Sequence, residues 1–154
     1  MKTYIHYGSD TYNPELVSKA QPFVIMSKPD KGLWASPVDA EFGWAEWCEL
    51  EDFDKSDFEK SFKFTLKPTA KILEIHKEED IVPYVVFNSD INMFRRSGQL
   101  TDCSDMLNKI KLYSQFDGIE LHISEDYERL HYGIFNTWDC DSICVWNPDV
   151  IELC

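Results

Sequence analysis

Three short patterns in this chain combine side-chain types and settings that suit ligand chemistry. The first is His6-Tyr7-Gly8-Ser9, which puts an imidazole, with one donor and one acceptor nitrogen, at the end of a β-rich run. The second is Gly32-Leu33-Trp34-Ala35-Ser36-Pro37. Gly32 tolerates φ > 0, and Ser-Pro is a helix-start signal: a hydroxyl that accepts an orphan N–H, then a proline whose missing donor costs nothing there. A glycine turn and a hydroxyl at a helix start make a corner that can hold a polar ligand. The third is Phe116-Asp117-Gly118-Ile119-Glu120, followed by the closing run Ser142-Ile143-Cys144-Val145-Trp146-Asn147-Pro148. Each feature also has an ordinary structural role. His6 can be a satisfied strand histidine, Ser36 only a helix cap, and Trp34, Trp44 and Trp47 core aromatics. Glu120 and His122 can be a solvated strand face, and Arg95-Arg96 a solvated loop. His76, His122 and His131 have no i,i+4 partner and no cysteine pair beside them, so spacing supplies no metal motif.

The elements that must position these residues follow from hydrophobic period and turn chemistry. Strands are expected over residues 2–9, 33–35, 61–66, 70–75, 119–123 and 141–146. In SFKFTL, Phe62, Phe64 and Leu66 alternate with Lys63 and Thr65, the mark of a half-buried strand. Ile119, Leu121 and Ile123 likewise take one face and leave Glu120 and His122 on the other. Helices are expected from Pro37 to about Leu50, over residues 102–113 with Asp102 near the cap, and briefly over 11–20. Phe23-Val24-Ile25-Met26 reads as a connector or edge strand. Pro83 confines residues 81–87 to an edge, because proline cannot donate to a central ladder. Residues 49–60 read as an acidic loop or frayed helix, and 130–138 leave strand and non-strand open. The tally predicts an α+β fold with a mixed, mostly antiparallel sheet and a few packed helices.

The 154 residues fit a single domain spanning 1–154, enough to bury about two-thirds of the unfolded surface. With 44% apolar and 14% aromatic residues the chain is a packed globule rather than a disordered one. No apolar run reaches the ~20 residues of a membrane span, and MKTYIHYGSD lacks the apolar core of a secretory signal. Five cysteines without paired spacing read as reduced thiols, so a cytoplasmic location is expected. A formal charge of −13 excludes nucleic-acid binding through a basic surface, which needs clustered Lys and Arg. It leaves solubility, steering of a basic protein partner, or imitation of nucleic-acid charge.

Taken in order, the three patterns resemble the ADP-ribosyltransferase superfamily, and most closely its small bacterial and phage members. Those open on a strand like tyrosine-histidine-glycine-serine; here Tyr7 intervenes between His6 and Gly8. A glycine-aromatic-x-serine/threonine element, a tyrosine-aspartate-glycine-isoleucine strand and a closing strand ending in Asn-Pro are also similar. The resemblance rests on these stretches, not on the whole chain. It implies a split-sheet fold and NAD as substrate. It implies cofactor binding by His6, Tyr7, Gly8, Trp34 and Ser36: His6 bonding the nicotinamide ribose, Ser36 bonding ribose or holding the acidic residue, and Trp34 or Tyr7 stacking on nicotinamide. It further implies a late-strand carboxylate that steadies the oxocarbenium-like centre as nicotinamide leaves. Glu120 is the first choice for that catalytic role, with Asp141 and Glu125 in reserve. The family's Glu-x-Glu or Gln-x-Glu pair is replaced here by Glu120-Leu121-His122.

The expected function is therefore an NAD-dependent transferase, or an NAD-binding relative, acting on a protein or nucleobase in bacterial or phage conflict. The competing expectation is a non-enzymatic acidic interaction protein, inhibitor- or antitoxin-like. It would have no cleft at the Trp34–Ser36 corner and one acidic face made by Glu46, Glu49, Glu51, Asp52, Asp54 and Asp57. A third is a degenerate transferase kept as a binding scaffold.

Overall fold

The structure is a computed structural model and describes residues 1–22, 25–53, 58–88 and 98–154. Phe23-Val24, Asp54, Asp57 and Arg95-Arg96, all singled out above, lie outside the described residues.

In chain order the strands are β1 (Tyr4–Tyr7), β2 (Leu33–Pro37), β3 (Ser61–Leu66), β4 (Ile72–Ile75), β5 (Val85–Val86), β6 (Met106–Leu107), β7 (Gly118–Leu121), β8 (Ser142–Val145) and β9 (Ile151–Leu153). The helices are short: α1 (Pro14–Val17), α2 (Trp44–Leu50), α3 (Lys109–Gln115) and α4 (Tyr127–His131). Seven strands form one sheet in the order β4-β7-β8-β2-β1-β3-β9, while β5 and β6 pair separately. Among the described residues every pairing is antiparallel except β4 with β7. The fold is thus α+β around a mostly antiparallel sheet. No helix among the described residues is long and apolar enough to cross a membrane.

The sheet separates two apolar clusters. Ile119, Leu121, Cys144, Ile75 and Trp138 pack in one, against α3 and the segment around α4. Tyr4, Phe64, Ile143, Val145 and Ile151 pack in the other. β7 and β8 lie inside the sheet and are buried along their whole length on both faces. That corrects the expectation of a half-exposed strand at residues 119–123: Glu120 is 2% exposed. Gly118 permits the close approach of β7 to β8, since a Cβ there would stand 2.7 Å from the Cys144 carbonyl oxygen.

Two helix starts differ from the expected ones, one for a long-range reason and one for a local one. Ser36 does not open a helix; it lies in β2, paired with Ile5 of β1. The helix-start signal of Ser-Pro loses to tertiary strand pairing, and α2 begins at Trp44. Asp102 does not open one either. Its carboxylate accepts from Ser104 N and Ser104 Oγ, a local turn that competes with helix. α3 begins at Lys109 instead, capped by Asn108, whose side chain accepts from Lys111 N at 3.2 Å.

Candidate functional site

β1 and β2 run side by side for only two residue pairs, Tyr4 with Pro37 and Ile5 with Ser36. Beyond Ile5 the ladder stops, and a cavity of about 360 Å³ opens where the strands part. Its walls come from β1 (Ile5, His6, Tyr7), β2 (Trp34, Ala35, Ser36), the start of α2 (Trp44), Lys28, and the segment Thr137–Cys140 that leads into β8. Four of the five residues expected to bind cofactor, His6, Tyr7, Trp34 and Ser36, therefore share one hollow. Gly8 does not line it. With φ of +105°, a conformation suited to glycine, Gly8 turns the chain out of β1, and its N–H bonds the Lys60 carbonyl.

His6 replaces part of the lost ladder. Its Nδ1 donates to the Trp34 carbonyl at 2.7 Å. A carbonyl only accepts, so Nδ1 carries the hydrogen and Nε2 is the ring atom left for a ligand. The ring also packs on Phe62, centroids 5.0 Å apart. Trp34 meets Trp138 edge-on at 4.8 Å and has the Lys28 ammonium 5.6 Å from its ring. The Trp138 indole N–H is spent on the Ser27 carbonyl. The Ser36 hydroxyl donates to the Asp141 carbonyl and accepts from Trp44 N, both at 2.9 Å. It thus satisfies the first N–H of α2 from eight residues away, capping the helix that it was expected to adjoin.

The carboxylates are arranged differently from expectation. Asp141 is buried and fixed: Oδ1 accepts from Ser124 N, and Oδ2 from Ser124 Oγ and Phe42 N. Glu120 accepts from Tyr4 OH at 2.9 Å and from the Lys2 ammonium. Burial, and then the neighbouring Glu120 charge, push the Tyr4 phenol well above its ordinary value, so it serves as a donor. Neither Glu120 nor Asp141 is among the lining residues, and Glu125 pairs with His76 instead. The cavity's own carboxylate is Asp139. Burial raises its pKa above the ordinary aspartate value, against the opposing pull of Lys28 and His131. Cys140 also lines the wall, but burial pushes its thiol up to about 12, which leaves it protonated and a poor nucleophile.

Sequence reasoning missed Trp138, Asp139 and Cys140 as wall residues because 130–138 carried no clear period. The adjacent Trp138-Asp139 pair, just before the strand expected over 141–146, was the available signal. Comparison of the chain with protein-family models, with curated proteins and with solved structures returns no match.

Proposed function

We propose that the chain is an NAD-binding protein of ADP-ribosyltransferase type, with the nicotinamide-ribose half of NAD seated between β1 and β2. One juxtaposition supports this reading: His6, Trp34 and Ser36, distant in sequence, line one hollow. At about 360 Å³ the hollow is at the small end of ligand pockets, which suits half a dinucleotide better than a whole one. The early parting of β1 from β2 is in keeping with a split sheet. Trp34 offers nicotinamide a flat face, His6 Nε2 bonds a ribose hydroxyl, and Ser36 is a positioning residue that ties both walls together.

Asp139 then takes the part first given to Glu120. As the glycosidic C1′–N bond breaks, nicotinamide leaves with the bonding pair and positive charge passes to the ribose. A carboxylate held beside that centre stabilises it. A nucleophile of the target, on a protein side chain or a nucleobase, completes the exchange at C1′.

Thermal unfolding with and without NAD tests the binding step. At 100-fold excess over Kd, NAD is expected to stabilise by about 2.7 kcal/mol, roughly 5–10 °C for a chain of this size. The increment should vanish in Trp34→Ala and His6→Ala. Absence of any NAD-dependent shift overturns the reading. Mass spectrometry of co-incubated proteins and nucleic acids tests transfer. One observation favours a second reading, binding without transfer: Glu120 is committed to Lys2 and Tyr4. A thermal shift with no mass increment and no nicotinamide release would select it.

A further inference from the structure

We infer that the ends of β4 and β7 form a site for a divalent transition ion of the zinc type, with Glu74, His76 and His122 as ligands and Glu125 orienting His76. This site is separate from the NAD cavity and does not depend on that reading.

The parallel register of β4 with β7 sets Glu74 beside Glu120 and Ile75 beside Leu121. One step further, the His76 and His122 rings stack, with centroids 4.1 Å apart and planes within 7°. One donor atom from each of Glu74, His76 and His122 lies within 4.8 Å of the other two. In a tetrahedral zinc site, bonds of about 2.0–2.2 Å place ligand atoms roughly 3.4 Å apart, so the donors must close by up to about 1.4 Å, and because the stacked rings hold their in-plane lone pairs parallel, the His76 ring must also turn out of the stack to share one ion with His122. Glu74 and His76 have room to do so, with side chains 54% and 48% exposed.

Two further observations point to a cation. His122 Nε2 is buried and makes no hydrogen bond among the described residues, although Glu74 Oε1 stands 3.5 Å away and Glu120 Oε1 3.7 Å away. A buried ring nitrogen without a partner, faced by two carboxylate oxygens, is an arrangement that a bound cation would complete. His76 Nδ1 bonds Glu125 Oε2. A carboxylate that accepts from Nδ1 fixes the tautomer and leaves Nε2 with its lone pair, the usual outer support of a metal-bound histidine. Glu120 is not counted as a ligand, because Lys2 and Tyr4 already hold it. Two imidazoles with a carboxylate suit zinc and its neighbours, whereas magnesium and calcium prefer oxygen alone.

The test is a zinc titration of the full chain, metal-free at the start, followed by the imidazole proton resonances of its four histidines. The resonances of His76 and His122 are expected to move together at one equivalent, those of His6 and His131 to stay, and magnesium to move none. Affinity by calorimetry should fall at least tenfold in Glu125→Gln and further in His122→Gln. Should His122→Gln fail to fold, Glu74→Gln on an exposed side chain carries the same expectation. Zinc that leaves His76 and His122 unmoved, or binds with unchanged affinity to both ligand variants through the exposed Cys103 and Cys154, overturns the proposal.

Discussion

The cavity between β1 and β2 and the cluster at the ends of β4 and β7 are opposite uses of one sheet. The cavity exists because two antiparallel neighbours stop pairing after two residue pairs. The cluster exists because two parallel neighbours keep their register to the end, so that residues 46 apart in sequence stand abreast. The cavity has several aromatic walls, Tyr7, Trp34, Trp44 and Trp138, and much of its polar capacity is spent: Ser36 on Asp141 and Trp44, Trp138 on Ser27, His6 Nδ1 on Trp34. What remains for a ligand is flat apolar surface, one imidazole nitrogen, the Lys28 ammonium, the Tyr7 hydroxyl and the Asp139 carboxylate. The cluster is the reverse, with three carboxylates, two imidazoles and a buried nitrogen that makes no hydrogen bond among the described residues. A sheet thus builds an apolar recess by letting strands part, and a charged site by holding them in step. Glu120 lies between the cluster and β1: it faces His122 on one side and bonds Tyr4 on the other, outside the cavity.

Removing Glu120 is the sharpest way to break that contrast. Glu120→Ala leaves the Tyr4 hydroxyl, on a residue 4% exposed, without its acceptor. It also leaves Lys2 unpaired, which matters less because that side chain is 37% exposed. An orphaned buried hydroxyl plus the lost volume should cost about 3 kcal/mol, read from urea unfolding. NAD affinity of the folded fraction should change less than about threefold, since Glu120 does not line the cavity. A large loss of NAD affinity with little loss of stability would return Glu120 to the cavity's chemistry and dissolve the distinction between the two regions.

Ser36→Ala probes the cavity side with a smaller effect. The substitution removes an acceptor from Trp44 N and a donor to Asp141 O, both buried or nearly so. At about 1 kcal/mol per hydrogen bond, and with a helix start losing its side-chain partner, the expected cost is about 2 kcal/mol in unfolding free energy. NAD affinity should fall only modestly, because the hydroxyl is occupied by the fold. A loss of NAD affinity exceeding tenfold with unchanged stability would make Ser36 a direct ribose ligand instead.

The sequence was most informative where period alone decides structure. SFKFTL alternates, and β3 spans those same residues with Phe64 fully buried. The run DSICVW holds β8, whereas the helix expected over 102–113 is real only from Lys109 onward, as α3. Legibility ended where a distant partner decides. Ser36-Pro37 carries every local sign of a helix start, yet Ile5 claims Ser36 for a strand. Glu120 looks like the polar half of an alternating strand, yet β4 and β8 flank it and Tyr4 covers it. The stacked His76 and His122 could not be found by helical spacing, because a parallel register rather than an i,i+4 step brings them together. Half of the cavity was visible early, as His6, Tyr7, Trp34 and Ser36. The other half, Thr137–Cys140, depends on how an irregular segment returns to β8, and no local pattern encodes that.

Asp139 offers the finest test, because its effect is small and its sign is unusual. Paired aspartates generally have lowered pKa values and lose stability as acid protonates them. Asp139 is raised, chiefly by burial, with Lys28 and His131 opposing. Between the ordinary aspartate value and its raised value in the fold, the native state therefore holds more of this proton than the unfolded chain does. By linkage, stability falls as pH rises through that window and recovers as pH drops below it. Asp139→Asn removes this contribution, so the variant should gain on the parent protein as pH climbs from the acid side toward neutrality. The comparison cancels the chain's other carboxylates, which titrate in both proteins. Paired urea titrations across that range provide the measurement. If the gap between the two proteins instead moves toward the parent as pH rises, Lys28 and His131 dominate, and the cavity's carboxylate is anchored by charge as firmly as the Glu120 cluster is.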